Sequence, residues 1–265
     1  MKDRPAGSAA SGLRTPDSGL FEYLLRLGDD RLILGHRLSE WCGHGPILEE
    51  DIAVANIALD LIGHATMFLK LAGEVEGQGR DEDALAYWRD ENQFRNLQLC
   101  ELPRGDFGFT MVRQFLFDSW SLHLLQALAR SSDSRLAALA AKAYKETRYH
   151  VRHSTEWMLR LGAGTEESHA RVQTALDELW PWTGEFGYSD EVDSTLAEAG
   201  IVPDPAALVP AWDRMARDVI SRATLTVPEE PMRMTGGRFG RHTEHLGHLL
   251  AEMQIVARSH PGARW

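Results

Sequence analysis

Two cysteines in 265 residues, Cys42 and Cys100, stand alone, with no Cys-x-x-Cys pair and no framework spacing. That scarcity excludes a disulfide scaffold and a cysteine zinc site, and it is the usage of a reduced, cytoplasmic protein. Basic residues are also in deficit. Lys and Arg number 28 against 39 Asp and Glu, a net charge of −11. A chain of that sign lacks the basic stripe that displaces counterions from phosphates, so no nucleic-acid partner is expected. It leaves room for a local basic patch. No run of about 18 apolar residues occurs, so no membrane partner is expected either. Residues 1–19 have no apolar segment of the kind that directs secretion. They are small, polar and contain glycine and proline, and are expected as a disordered tail. A nucleophile elbow, a phosphate-binding Gly-Lys-Ser/Thr loop and a dinucleotide fingerprint are absent as well.

What the chain does contain is helical periodicity. Hydrophobic residues make up 43% and charged residues 25%, enough for one sizeable core over residues 20–265. The apolar spacing predicts helices near 20–41, 47–72, 106–130, 133–162, 165–180, 189–199, 204 onward and 242–259. A shorter helical stretch carries Trp88, Phe94 and Leu97 and is ended by Pro103. Asp106 and Asp133 stand where N-caps belong. Asp204-Pro205 is a cap followed by proline in the first turn. Pro181 is placed to bend or end its helix. The eight tryptophans, Trp88 and Trp157 among them, are read as mostly core. The class is all-α, an antiparallel bundle of long helices with additional C-terminal helices.

A four-helix bundle commonly builds its site at the centre. In di-iron carboxylate proteins two helices each give a carboxylate and two give a Glu-x-x-His pair. Carboxylates balance the cations, and imidazoles complete the ligand set. Counting from the turns gives the heights. From a turn near His44, Asp60 is level with Asp30 (or Asp29), whereas Glu40 is too close to the turn. From a turn near Ser132, Asp118 and Glu146 are level. Asp118 shares a face with Met111, Phe115, Leu122 and Leu125, so it is expected inside, where a lone carboxylate is costly and a partner is implied. The imidazoles do not follow the pattern. Three residues after Asp60 is Gly63, and three after Glu146 is Tyr149; His64 and His150 come one residue later, about 100° further round the helix. The positions Asp30, Asp60, Gly63, Asp118, Glu146 and Tyr149 therefore read as a vestigial metal site, with Tyr149, Lys142 or Lys145 filling the space. No metal ligand and no catalytic residue is assigned.

Residues 235–248 hold three histidines at every third position, His242, His245 and His248, which drift too far around a helix to converge. With Arg233, Arg238 and Arg241 this is the most basic short stretch. Arg233, Arg238, Arg241, His242 and His245 are candidates for an interface or a phosphate contact.

Several stretches resemble a known family. They are Leu24-Leu25-Arg26-Leu27-Gly28-Asp29, Glu40-Trp41-Cys42-Gly43-His44, Ala55-Asn56-Ile57-Ala58-Leu59-Asp60-Leu61 and Lys145-Glu146-Thr147-Arg148-Tyr149-His150. Thr235-Gly236-Gly237, the run from His242 to Gly247 and the ending Leu249 to Gln254 belong with them. Over residues 20–265 the combination resembles the C-subunit (PaaC) family of multicomponent phenylacetyl-CoA epoxidases. The resemblance implies a ferritin-like fold and a place in aerobic phenylacetate catabolism, in a monooxygenase complex that converts phenylacetyl-CoA to its 1,2-epoxide. It implies a structural role with no cofactor of its own. The di-iron centre belongs to the catalytic partner (PaaA), and NADPH, flavin and an iron–sulfur centre belong to the reductase of the complex. The catalytic partner, the reductase and self-association are the implied contacts. Two other readings fit the residues: a self-sufficient di-iron or di-manganese oxygenase using Asp30, Asp60, His64, Asp118, Glu146 and His150, and an unrelated helical binding module.

Overall fold

The computed structural model describes residues 16–229 and 233–263. Among them are ten α-helices, three short 3-10 segments and no strand. Four long helices form the bundle: α1 (Pro16–Ser39), α2 (Leu48–Glu76), α5 (Phe107–Leu128) and α6 (Ser134–Gly162). Between α2 and α5 lie α3 (Glu82–Tyr87) and α4 (Gln98–Glu101); after α6 come α7 (Glu166–Leu179), α8 (Glu191–Glu198), α9 (Pro205–Arg222) and α10 (Glu244–Ser259). The most extensive helix pairs are α1 with α2 and α5 with α6, the two antiparallel hairpins, while α2 meets α6 along a much thinner seam. Helix α8 packs on α1, α7 and α9 pack on α5 and α6, and α10 closes over α3 and α4.

Helix starts follow the local code. Asp106, Asp133 and Asp204 each accept a hydrogen bond from a backbone N–H of the first turn, the arrangement that satisfies the otherwise orphaned donors. The tight crossing of α1 and α2 depends on Gly28 and Gly35. A Cβ on Gly28 would stand 2.7 Å from the Leu69 side chain, and one on Gly35 3.2 Å from the Ala58 carbonyl oxygen. Buried residues from Leu20 to Leu250 form one continuous hydrophobic core.

Two expectations are corrected. Helix α1 begins at Pro16, inside the segment read as a tail to residue 19, with Asp17 favourably placed at its positive end; residues 1–15 lie outside the described ones. The stretch around Trp88 is not one helix. It stops at Tyr87, turns at Glu91–Gln93 through a capping box between Asp90 and Gln93, and restarts at Gln98. Phe94 and Leu97 are buried by this path and Trp88 is left half exposed. Helix α2 is long and apolar enough to cross a membrane by composition, but it carries Asp60 and His64, and its inner face is packed on α1.

Candidate functional site

At the bundle centre two imidazoles face inward, and they are the residues one step beyond the expected spacing. His64 of α2 and His150 of α6 are fully buried, their ring centroids 6.3 Å apart. Each reaches across to the other helix. His64 Nε2 donates to Glu146 Oε2 at 2.5 Å, and His150 Nε2 donates to Asp60 Oδ2 at 3.0 Å. A third bridge, His153 Nε2 to Glu50 Oε2 at 2.8 Å, continues the ladder toward the start of α2. Three imidazole–carboxylate bridges thus tie the thin α2–α6 seam.

Burial, reinforced by the positive field of Arg31, pushes the His64 imidazole down to about 3. It is therefore neutral at pH 7, with its proton on Nε2 toward Glu146 and a bare lone pair on Nδ1. The Nδ1 atoms of both His64 and His150 are buried without a hydrogen-bond partner. Equally buried is Asp118 of α5, whose carboxyl burial raises to about 7 against the opposing pull of His150. It accepts from Gln114 Nε2 at 2.7 Å and from Ser154 Oγ at 3.4 Å. His150 Nδ1 stands 4.0 Å from Asp118 Oδ1, beyond hydrogen-bond reach. The implied partner of Asp118 is thus found, and it is polar rather than ionic.

The fourth helix brings a cation. Arg31 of α1 is 1% exposed, donates to the Leu27 carbonyl and to Ser121 Oγ, and lies over the Phe68 ring. Burial lowers its pKa from the usual guanidinium value. The α1 carboxylates turn elsewhere. Asp29 binds Arg89 and the Arg95 backbone N–H. Asp30 takes both arms of Arg238, at 2.9 Å each, and the Leu97 N–H.

The expected site is therefore only partly assembled. Asp60, Asp118 and Glu146 converge with His64 and His150. Asp30 does not, because Arg238 holds it on the far side of α1. Gly63 is exposed, and a Cβ there would meet nothing within 4 Å. Tyr149 is 44% exposed and stacks on His153, and Lys142 and Lys145 face solvent. In a straight helix the i+3 and i+4 positions differ by about 100°, and here i+4 is the inward one. Arg238 and His242 are not free for a phosphate. Arg238 is spent on Asp30, and His242 is wedged between Glu101 Oε2 and the Phe94 carbonyl. Arg233 and Arg241 are exposed.

These residues do not fit a di-iron centre. The Asp60 and Glu146 carboxylates are engaged by His150 and His64, the α1 carboxylates are consumed by arginines, and the interior already holds the Arg31 guanidinium. Among the described residues no group of three or more His, Cys, Asp or Glu side chains is arranged to hold a metal ion.

A family model described as phenylacetic acid catabolic protein matches residues 9–265. The chain belongs to the phenylacetic acid catabolic protein family. The C subunit of 1,2-phenylacetyl-CoA epoxidase from Escherichia coli (strain K12) is 51% identical over 246 residues, covering 93% of this chain and 99% of that protein. In this member of the phenylacetic acid catabolic proteins the motif residues have visible physical roles. Gly28 permits the α1–α2 crossing. The N–H groups of Gly236 and Gly237 donate to Glu185 Oε1, at 2.9 and 2.8 Å. Arg31 and Glu185 carry no such motif. For Arg31 the available signal is its spacing, four residues after Leu27 and three before Leu34, on a stripe otherwise apolar.

Proposed function

We propose that this chain is the structural, non-catalytic C subunit of a multicomponent phenylacetyl-CoA 1,2-epoxidase in aerobic phenylacetate catabolism. It supports the di-iron catalytic partner, and electrons reach that partner from NADPH through the flavin and iron–sulfur centres of the reductase. The observation that carries the reading is the bundle centre. The Asp60 and Glu146 carboxylates, at positions that a di-iron protein gives to ligands, are bonded instead to His150 and His64, which stand one residue off the ligand spacing, with the Arg31 guanidinium supplying the positive charge. The likeness to the C subunit of the Escherichia coli epoxidase supports the assignment to that complex.

In this reading the chain contributes rigidity. Ligands of a catalytic site must be held within about 0.5 Å by the structure around them, and a bundle cross-linked along its α2–α6 seam is a stiff support. The test is reconstitution. The catalytic partner with the reductase, assayed for phenylacetyl-CoA epoxidation with and without this chain, should turn over well only in its presence. A His64→Gln/His150→Gln variant, whose amide N–H groups can still donate to Glu146 and Asp60 but which has no imidazole to ligate a metal, should support turnover as the wild type does. Full turnover without the chain, or turnover lost in the variant while the complex still assembles, would contradict the reading.

A further inference from the structure

Three large apolar side chains that the fold leaves in solvent line one face of α2. Leu48, Ile52 and Leu59 are 71%, 52% and 66% exposed, and Ile47 precedes them. Spacings of four and seven residues place them in a line, about 16 Å long at 1.5 Å per residue. The inner face of α2 is covered by α1 and one edge is bridged to α6. An exposed apolar line of this kind marks an interaction surface.

Gly63 lies on the same face, one turn beyond Leu59. Gly28 and Gly35 are explained by the contact between α1 and α2, but nothing within the chain comes near the missing Cβ of Gly63. Glycine is among the poorest residues for a helix interior, so its use here answers to something outside the chain that approaches the backbone closely. Tyr149 carries the patch onto α6 through its stack on His153, which is bonded to Glu50 of α2. Beside it Lys142 and Lys145 are exposed and form no ion pair among the described residues. In a chain of net charge −11, those two lysines are an unpaired basic edge along an apolar face.

We propose that the outer face of α2 from Leu48 to Gly63, with Tyr149 and the basic edge of α6, is the docking surface for a helix of the catalytic partner, which rests on the reading of this chain as part of an epoxidase complex. The partner helix lays an apolar stripe along Leu48, Ile52 and Leu59, makes its closest backbone approach at Gly63, and sets acidic side chains against Lys142 and Lys145. A second copy of this chain would offer the same two lysines again, which is why the occupant is a chain of opposite charge along that edge.

The test measures binding of the catalytic partner from the same source to the full chain and to Leu59→Glu, Gly63→Leu and, as a control on α10, Val256→Glu. Leu59, Gly63 and Val256 are all exposed, so the isolated variants should fold, and Gly63→Leu should melt no lower than the wild type. Leu59→Glu and Gly63→Leu should each weaken the complex roughly tenfold or more, the scale of a central interface residue, and Val256→Glu should not. Both α2 variants binding as tightly as the wild type would overturn the surface alone. No binding by the wild-type chain would overturn the surface and the reading beneath it. A wild-type homodimer that Leu59→Glu dissociates, with binding of the catalytic partner unchanged, would overturn the choice of occupant in favour of a second copy.

Discussion

The interior of this bundle holds a carboxyl group and an imidazole that burial pushes in opposite directions. Asp118 is raised to about 7 and His64 is lowered to about 3. The signs of their contributions to stability differ. The folded state holds a proton on Asp118 that the unfolded chain has lost above about pH 4, so stability falls as pH rises toward and through 7. The unfolded chain binds a proton at His64 that the folded state refuses, so stability falls as pH drops below about 6.5. Comparing wild type with Asp118→Asn cancels the His64 contribution, since both proteins carry it. The Asn variant keeps an acceptor for Gln114 and should gain on the wild type by about 1 kcal/mol more at pH 8 than at pH 6, as measured by urea unfolding. A difference independent of pH would contradict the account. The burial of Asp118 was legible because its helical neighbours Met111 and Phe115 are apolar. Arg31 escaped because an arginine on such a stripe ordinarily snorkels outward, and only its contacts with Leu27 and Ser121 show that it does not.

Among the elements, those governed by local signals were legible and those governed by distant partners were not. The N-caps Asp106, Asp133 and Asp204 act within their own first turns and could be read directly. The break after Tyr87 depends on Arg89, which Asp29 of α1 holds from 60 residues away. The segment before α10 is fixed in the same long-range way. Glu185 gathers the N–H groups of Gln98, Gly236 and Gly237. Glu101 holds His242, whose pKa is raised by that hydrogen bond despite the opposing effect of burial. Arg238 joins Asp30 across 208 residues of sequence. Its pKa is raised because Asp30 outweighs the cost of burial. Arg238→Met leaves the buried Asp30 carboxylate unpaired and should cost about 3–5 kcal/mol of stability. Adding Asp30→Asn should recover part of the loss, because the orphaned charge is then gone. A single-variant loss that Asp30→Asn does not lessen, in equilibrium unfolding, would show that the pair is not what fixes this segment.

At the scale of the whole molecule, helix order and fold class could be read from apolar periodicity, and the antiparallel heights of Asp60, Asp118 and Glu146 from helix geometry alone. Which carboxylates converge could not, because a rotation of about 100° per residue decides it and the rotation is set by tertiary packing. That rotation brings His64 and His150 inside and leaves Gly63 and Tyr149 on the outer face. The central proposal is that this ferritin-like bundle supports iron chemistry without hosting it. Its most direct test is metal content: the isolated chain loaded anaerobically with ferrous iron, desalted, and analysed by mass spectrometry. The account predicts iron far below one per chain. Close to two irons per chain, lost on His64→Gln or His150→Gln substitution, would contradict it.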